Sequence, residues 1–138
     1  MASNPLVGHW ALEVYELRPA NEGENPYPLG ADAFGRISYS EDGRMSVFLQ
    51  AAKRPATPGR TPDVALKAAA YETFIAYAGT YELRGDTVVH HVQFSSVPIW
   101  TGGNQERQVA FENGKLVLSL PVTVNGTQRE YRLVWRRE

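Results

Sequence analysis

The chain has 138 residues, of which 43% are hydrophobic and 21% are charged, and its formal net charge is −1 at pH 7. These totals fit one globular domain over residues 1–138, and the scattered lysines and arginines make nucleic acid and anionic membranes unexpected partners. Without cysteine, there is no disulfide framework, thiolate nucleophile or cysteine-ligated metal. Since no segment has the pattern of a signal peptide or a membrane span, we expect a cytoplasmic protein. We expect it to be either a monomer or a homodimer.

The first third of the chain has the period of β-strands. Residues 6–17 alternate in polarity, which predicts a half-buried strand with Trp10 on its inner parity. Residues 18–32 are rich in proline, glycine and asparagine and predict a long loop. Residues 34–50 contain two strand-like runs around an Asp-Gly pair, which predicts a hairpin.

In the alanine-rich segment of residues 61–79, the apolar residues recur at the spacing of a helix. Thr61 suits the N-cap, Pro62 suits the first helical position, Asp63 complements the helix dipole, and Gly79 suits the end of the helix. The apolar stripe of this helix predicts packing against the sheet, with movement as a lid as the alternative. The stripe consists of Val64, Ala68, Tyr71, Phe74 and Ile75.

β-Type patterns return after the helix. Residues 80–95 and residues 107–120 each predict two strands around a turn, and residues 127–137 predict a last one, which gives about eight strands. Because closure removes exposed sheet edges, the pattern predicts an all-β, eight-stranded, up-and-down antiparallel barrel with one helix inserted between the third and fourth strands. Such a barrel can enclose one small ligand. A half-open sandwich is the alternative.

Both ends of the chain resemble lipocalins. Gly8-His9-Trp10 has the Gly-X-Trp pattern, and "LVWRR" in the last strand offers Arg136 or Arg137 as the arginine that packs across the tryptophan in that family. More of the chain, including "GRISYSEDGRMSV", "AYAGTYEL" and "VVHHVQFSSVPIWTGGNQERQ", resembles the bacterial and fungal small lipocalin-like domain proteins over nearly its whole length. The resemblance implies a small barrel that binds an apolar or aromatic compound, and some similar domains occur among enzymes of secondary metabolism.

The chain also departs from the secreted lipocalins. It has no cysteine and no Thr-Asp-Tyr motif, and its predicted helix falls in the middle of the chain. Extracellular transport of ligands is therefore not implied.

Strand alternation separates the adjacent histidines of residues 87–95. Successive side chains of a strand face opposite sides, so His90 and His91 cannot share one metal. The more apolar parity contains His90 and Phe94, and we predict that it faces the barrel interior while His91 faces outward. By the same rule Gln105 and Arg107 face inward from the next strand. No metal site and no cofactor are predicted.

An inward arginine requires a carboxylate, aromatic faces or an anionic ligand. Glu16 and Glu82 are the nearest candidate carboxylates, whereas tyrosine and tryptophan are abundant and suit a small-molecule pocket. The predicted ligand-binding residues are Tyr39, Met45, Tyr77, Tyr81, His90, Phe94, Trp100, Gln105 and Arg107.

Some of these residues have purely structural alternatives. His90 could be a core histidine whose ring is satisfied by a tyrosine hydroxyl or a backbone carbonyl, because an ordinary pKa near 6.5 makes neutral burial inexpensive. Trp100 lies in the Pro/Gly-rich loop of residues 96–104, where it would either form the rim of a pocket or close the end of the barrel.

Two functions follow from these residues. The first is an intracellular barrel that binds a small apolar or aromatic molecule. The alternative is a cofactor-independent isomerase, cyclase or dehydratase acting on a polyketide-like or terpenoid-like compound, in which His90, Arg107 and Tyr81 perform acid–base chemistry and stabilise an enolate or oxyanion. The sequence has no phosphate-binding loop and no nucleophile elbow.

Overall fold

A computed structural model describes residues 4–56, 59 and 61–138, and within them the strands close into an antiparallel barrel in chain order. The predicted up-and-down barrel is therefore confirmed, and the half-open sandwich is wrong. The helix α1 (Val64–Glu72) lies between the third and fourth strands, as predicted, and a 3₁₀ turn (Pro98–Trp100) precedes the sixth. The strands are β1 (Gly8–Arg18), β2 (Phe34–Tyr39), β3 (Arg44–Gln50), β4 (Phe74–Arg84), β5 (Thr87–Ser95), β6 (Asn104–Glu112), β7 (Lys115–Val124) and β8 (Thr127–Arg137).

The hairpin between β6 and β7 shows why the turn residues predicted strand pairs correctly. Asn113 has φ 54° and Gly114 has φ 78°, so both central residues have positive φ. Tight turns of this kind match the right-handed twist of paired strands, and asparagine and glycine tolerate the left-handed region better than other residues. The local sequence therefore places this turn without help from the rest of the fold.

The helix differs from its prediction at both ends. Asp63, not Thr61, is the N-cap, and its carboxylate accepts a hydrogen bond of 2.9 Å from the backbone N–H of Leu66. The helix ends at Glu72 instead of Gly79, because residues 74–80 pair with β3 along its whole length. Sheet pairing outweighs the helical spacing of this segment, since without it β3 would be an open edge.

The predicted packing of the helical stripe is wrong. No residue of α1 is buried, Val64 is 82% exposed and Tyr71 is 52% exposed. Phe74 and Ile75, which the stripe included, belong to β4. No helix in the described residues is long and apolar enough to cross a membrane.

Two β-bulges reverse the side-chain parity that the sequence predicts. In β1 the register with β8 shifts between Leu12 and Val14, and as a result Tyr15 reaches the interior while Glu16 faces outward. In β5 the register with β4 shifts after Val92, and Phe94 is 70% exposed. One extra residue moves every later side chain to the other face, so the predicted inward position of Phe94 is wrong.

The N-terminal end of the barrel is closed around Trp10. The Arg137 guanidinium lies 4.0 Å from the centre of the Trp10 ring, and its Nη1 and Nη2 donate to the carbonyl oxygens of Val7 and Pro5 at 2.9 and 3.1 Å. A Cβ on Gly8 would lie 2.6 Å from Arg137 Nη1, which explains the glycine at that position. Of the two candidate arginines, Arg137 therefore packs across the tryptophan.

We predict that Arg137→Ala lowers the free energy of unfolding by roughly 1–3 kcal/mol, because it removes a cation–π contact and two charge-assisted hydrogen bonds. Arg136→Ala is the matched control and should change it by less than about 0.5 kcal/mol. Urea denaturation followed by far-UV circular dichroism measures both. Equal effects of the two substitutions would show that the contact with Trp10 does not stabilise the barrel.

Candidate functional site

A cavity of about 70 Å³ lies inside the barrel, towards the end opposite the N-terminal segment. Four aromatic residues and two polar ones, His90 and Arg107, complete a wall that is otherwise aliphatic. The aromatic residues are Tyr15, Tyr77, Trp100 and Trp135. The aliphatic ones are Ile37, Val47, Leu49, Ile75, Leu118 and Leu133.

His90 is held between two tyrosines. The residue is 1% exposed, its Nε2 lies 2.6 Å from Tyr39 Oη, and its Nδ1 lies 2.6 Å from Tyr77 Oη. Burial, assisted by the positive charges of Arg107 and His91, lowers the pKa of His90 from 6.5 to about 3. The imidazole is therefore neutral at physiological pH, and one of its nitrogens donates a hydrogen bond while the other accepts one. Tyrosine hydroxyls thus satisfy both ring nitrogens, as the structural alternative for His90 expects, and the ring also lines the cavity.

The two tyrosines keep their protons. Burial raises the pKa of Tyr77 to about 12, although the charge of Arg107 opposes this shift, and it raises the pKa of Tyr39 well above its usual value of 10. Tyr77 also packs edge-on against Trp100, with ring centres 6.0 Å apart. The cavity wall thus carries a neutral phenol next to a neutral imidazole.

Arg107 reaches the cavity without a carboxylate partner among the described residues. Its Nη2 donates to Gln105 Oε1 at 2.9 Å, and its Nη1 donates to the backbone oxygen of Glu106 at 2.7 Å. Glu16 pairs instead with Arg18, and Glu82 pairs with Arg84 and with His91. Neither glutamate neutralises Arg107, so no carboxylate of the described residues balances the positive charge at the cavity.

The structure divides the predicted ligand-binding residues into groups. Tyr77, His90, Trp100 and Arg107 line the cavity, whereas Gln105 holds the guanidinium of Arg107.

Three further predicted residues lie behind the cavity or near the closed end of the barrel. Tyr39 is 2% exposed and lies behind His90, and Met45 is 4% exposed and belongs to the core. Tyr81 Oη accepts from Asn4 Nδ2 at 3.0 Å and donates to the backbone oxygen of Ser40 at 2.8 Å. The predicted orientation of Tyr81 towards a ligand is therefore wrong. Phe94, on the outer surface, also lies away from the cavity.

Sequence reasoning missed Trp135 as a residue of the cavity, and the simple alternation of residues 6–17 puts Tyr15 on the parity opposite Trp10. Trp135 is fully buried and lines the cavity, and its Nε1–H has no hydrogen-bond partner within the described chain. A buried donor without a partner costs free energy that an acceptor on a ligand would recover. The parity of β8 could have indicated Trp135, but no sequence signal marks the bulge that turns Tyr15 inward.

The strands form a closed eight-stranded barrel with a cavity inside, and Arg137 packs over Trp10 at one end. These features define a lipocalin-like protein. The chain belongs to the family of the lipocalin-like domain, whose model matches residues 7–138.

One curated relative and two solved structures are similar to this chain. The 4'-hydroxy-3'-methoxypropiophenone carrier protein ppsC of Aspergillus oryzae is 32% identical over 80 residues, which cover 51% of this chain and 72% of that protein. A lipocalin-like protein from Bacteroides uniformis matches with a TM-score of 0.49 and 13% identity, over 98% of this chain and 100% of its own. An uncharacterised protein from Bacteroides eggerthii matches with a TM-score of 0.45 and 14% identity, over 96% and 99%.

The burial of His90 predicts how stability depends on pH. Between about pH 3 and 6.5 the unfolded chain binds a proton at His90 that the folded protein does not, so the free energy of unfolding falls as the pH is lowered through this window. The slope should approach about 1.4 kcal/mol per pH unit. In His90→Gln this contribution should vanish between pH 5 and 6.5, as measured by urea denaturation at a series of pH values.

His91→Gln is the control. Hydrogen bonds to Asn104 and Glu82 raise the pKa of His91, so its contribution is present below about pH 6.5 and is lost as the pH rises through the folded value. This substitution should keep or steepen the slope between pH 5 and 6.5. A slope in His90→Gln as steep as that of the unsubstituted protein would contradict the neutral state of the buried ring.

Proposed function

We propose that the barrel binds a small, largely apolar ring compound in the interior cavity, with an electron-rich oxygen of the compound beside Arg107. One observation carries the proposal: Arg107 reaches an otherwise aliphatic and aromatic cavity, and no carboxylate of the described residues pairs with it. The guanidinium is half-buried and bonds only to neutral acceptors among the described residues, so its charge is available to an electron-rich atom of a ligand. A ligand carbonyl, phenolate or carboxylate is an acceptor of this kind.

The remaining wall suits a ring. Leu118 and Leu133 from the last strands and Ile75 from β4 offer apolar area, and Tyr77 and Trp100 offer aromatic faces. Trp135 Nε1 adds a second buried donor that has no protein partner among the described residues. An apolar surface with a few converging donors is the usual composition of a small-molecule site.

The relative from Aspergillus oryzae supports an aromatic ketone as the ligand class. Its name describes it as a carrier of 4'-hydroxy-3'-methoxypropiophenone, a ring that bears a carbonyl and a phenolic oxygen. A molecule of this kind would place its ring against the apolar wall and one oxygen beside Arg107. We therefore propose a carrier or binding role for this barrel, with an aryl ketone as the first compound to test.

The size of the cavity adds a requirement. An engineered cavity of about 150 Å³ binds benzene, and the cavity of this barrel, at about 70 Å³, has about half that volume. A ring compound therefore enters only if a side chain moves. Trp100 is the best placed to do so, because it lies on a single 3₁₀ turn, none of whose residues is buried.

The geometry of His90 favours binding over acid–base catalysis. Both ring nitrogens are hydrogen-bonded to tyrosines, and a pKa of about 3 makes the ring a poor proton acceptor at neutral pH. Tyr81, the third proposed catalytic residue, has its hydroxyl bonded to Asn4 and Ser40. The positions of His90 and Tyr81 therefore give the isomerase, cyclase or dehydratase less support than a binding role.

We expect 4'-hydroxy-3'-methoxypropiophenone to bind more tightly than 2-methoxy-4-propylphenol, which lacks the carbonyl. Arg107→Gln should weaken binding of the ketone by roughly ten- to a hundredfold, because a hydrogen bond to a charged group is worth about 1.5–3 kcal/mol. Arg84→Gln, an arginine of an exposed ion pair, is the control and should leave the affinity unchanged. Isothermal titration calorimetry measures all three proteins. No binding of any ring compound, or equal affinity in Arg107→Gln, would refute the proposal.

Trp100→Ala should increase the association rate of the ketone by about tenfold, because the ring would no longer have to displace the indole before entry. Ile99→Ala, at an 86% exposed position of the same turn, is the matched control and should bind at the original rate. Stopped-flow fluorescence measures the rates. An unchanged rate in Trp100→Ala would show that the ligand enters by another route.

A further inference from the structure

We propose that the hydrogen-bond chain Tyr39–His90–Tyr77 has one proton direction, which makes the Tyr77 hydroxyl a donor to the cavity and selects ligands with a carbonyl oxygen over the corresponding alcohols. The inference deepens the proposed function and rests on it, because it names the group of the ligand that the chain recognises. It assigns Tyr39, which does not line the cavity, as a positioning residue for ligand choice.

The direction follows from counting donors and acceptors. A neutral imidazole carries one N–H, so it donates to one tyrosine oxygen and accepts from the other hydroxyl. His90 Nε2 is the sole hydrogen-bond partner of Tyr39 Oη within the described chain, at 2.6 Å. Tyr39 is 2% exposed, so its proton has no alternative acceptor in solvent.

Each tautomer leaves one tyrosine proton without an acceptor among the described residues, and the two tautomers differ in which tyrosine that is. If Nε2 carried the imidazole proton, it would donate to Tyr39 Oη, and the Tyr39 hydroxyl proton, which lies behind the cavity, would have no acceptor. If Nδ1 carries it, Tyr39 donates to Nε2, His90 donates to Tyr77 Oη, and the remaining proton is that of Tyr77, which lines the cavity, where a water or a ligand oxygen can accept it. The cost of leaving the Tyr39 donor unsatisfied favours the Nδ1–H tautomer by roughly ten- to a hundredfold in population.

In that tautomer the free proton belongs to Tyr77, which lines the cavity. Burial raises the pKa of Tyr77 to about 12, so the phenol is protonated at neutral pH and acts as a donor. Two other lining residues, Arg107 and Trp135, carry side-chain donors as well, and Trp135 Nε1 has no partner among the described residues. Donors therefore outnumber acceptors among the polar groups of the lining residues.

Such a cavity discriminates between a carbonyl and a hydroxyl. A carbonyl oxygen only accepts, so it satisfies the Tyr77 hydroxyl or the guanidinium without adding a proton of its own. An alcohol adds a donor to a site whose nearby groups already donate, and its proton is poorly satisfied. Sites built on hydrogen bonding discriminate strongly against an analogue that leaves a polar group unpaired.

The first test needs no ligand. A long-range ¹H–¹⁵N correlation spectrum of the ¹⁵N-labelled protein at pH 7 reports which ring nitrogen of His90 carries the proton. We expect a protonated Nδ1 and an unprotonated Nε2. A protonated Nε2, or a doubly protonated ring, would overturn the inference whether or not any compound binds.

The second test compares 4'-hydroxyacetophenone with its reduced alcohol, 4-(1-hydroxyethyl)phenol, by calorimetry. The unsubstituted protein should prefer the ketone by about tenfold or more. In Tyr77→Phe the preference should fall towards unity, because the donor is gone. In Tyr39→Phe it should also fall, because Nε2 loses its partner in either tautomer and the bias towards Nδ1–H disappears. In the Nε2–H form that then becomes populated, Tyr77 donates to Nδ1 and offers only an acceptor to the ligand.

Tyr81→Phe is the matched control. The Tyr81 ring packs edge-on against Tyr39 with centres 4.7 Å apart, but its hydroxyl bonds to Asn4 and Ser40 and is not part of the chain. This variant should keep the ketone preference, which separates proton direction from a general loss of packing around Tyr39.

The outcomes distinguish the two proposals. If neither compound binds to the unsubstituted protein, the proposed function fails, and with it the ligand selection, while the spectrum alone still decides the proton direction. If both compounds bind equally, the proposed function stands and the inference is wrong. A Tyr39→Phe protein that is folded and keeps the full preference also overturns it.

Discussion

The pairing of β1 with β8 closes the sheet, and the interior of this protein exists because of that closure. The same pairing contains the bulge between Leu12 and Val14, which changes the inward face part of the way along β1. Below the bulge Trp10 and Leu12 fill the closed end, and above it Tyr15 enters the cavity wall. One irregularity in the closing pair of strands therefore separates the packed core from the cavity.

On the cavity side of the core, the interior contains two polar residues that differ in how completely the protein provides them with hydrogen-bond and charge partners. His90 is fully paired by Tyr39 and Tyr77, and its neutrality removes the cost of a buried charge. Among the described residues, Arg107 bonds only to Gln105 and to a backbone oxygen, and no carboxylate there neutralises its charge. The two polar residues of the cavity wall therefore differ: the histidine is fully paired within the fold, and the arginine keeps a positive charge beside the cavity.

Much of this arrangement could be predicted from the sequence, for physical reasons that are local. Alternation along residues 87–95 separated His90 from His91 correctly, because the period of a strand is fixed at two. The same rule failed at Phe94 and at Glu16, since a bulge adds one residue and leaves no pattern that a single sequence reveals. The sequence could suggest that a tyrosine hydroxyl bonds to His90. It could not identify which tyrosines do so, because the two partners lie on β2 and β4, far from each other in the chain.

The sequence alone determined the barrel and its turns, because turn residues and strand period act over short distances and closure follows a simple rule. It left Arg136 and Arg137 open as the partner of Trp10, and only the closed fold brings Arg137 onto that ring. The tertiary structure decided where α1 gives way to β4, since β3 offers residues 74–80 a partner that outweighs their helical spacing. It also decided which side chains reach the cavity. That outcome depends on two bulges and on contacts between distant strands, and it arises only when the whole sheet closes.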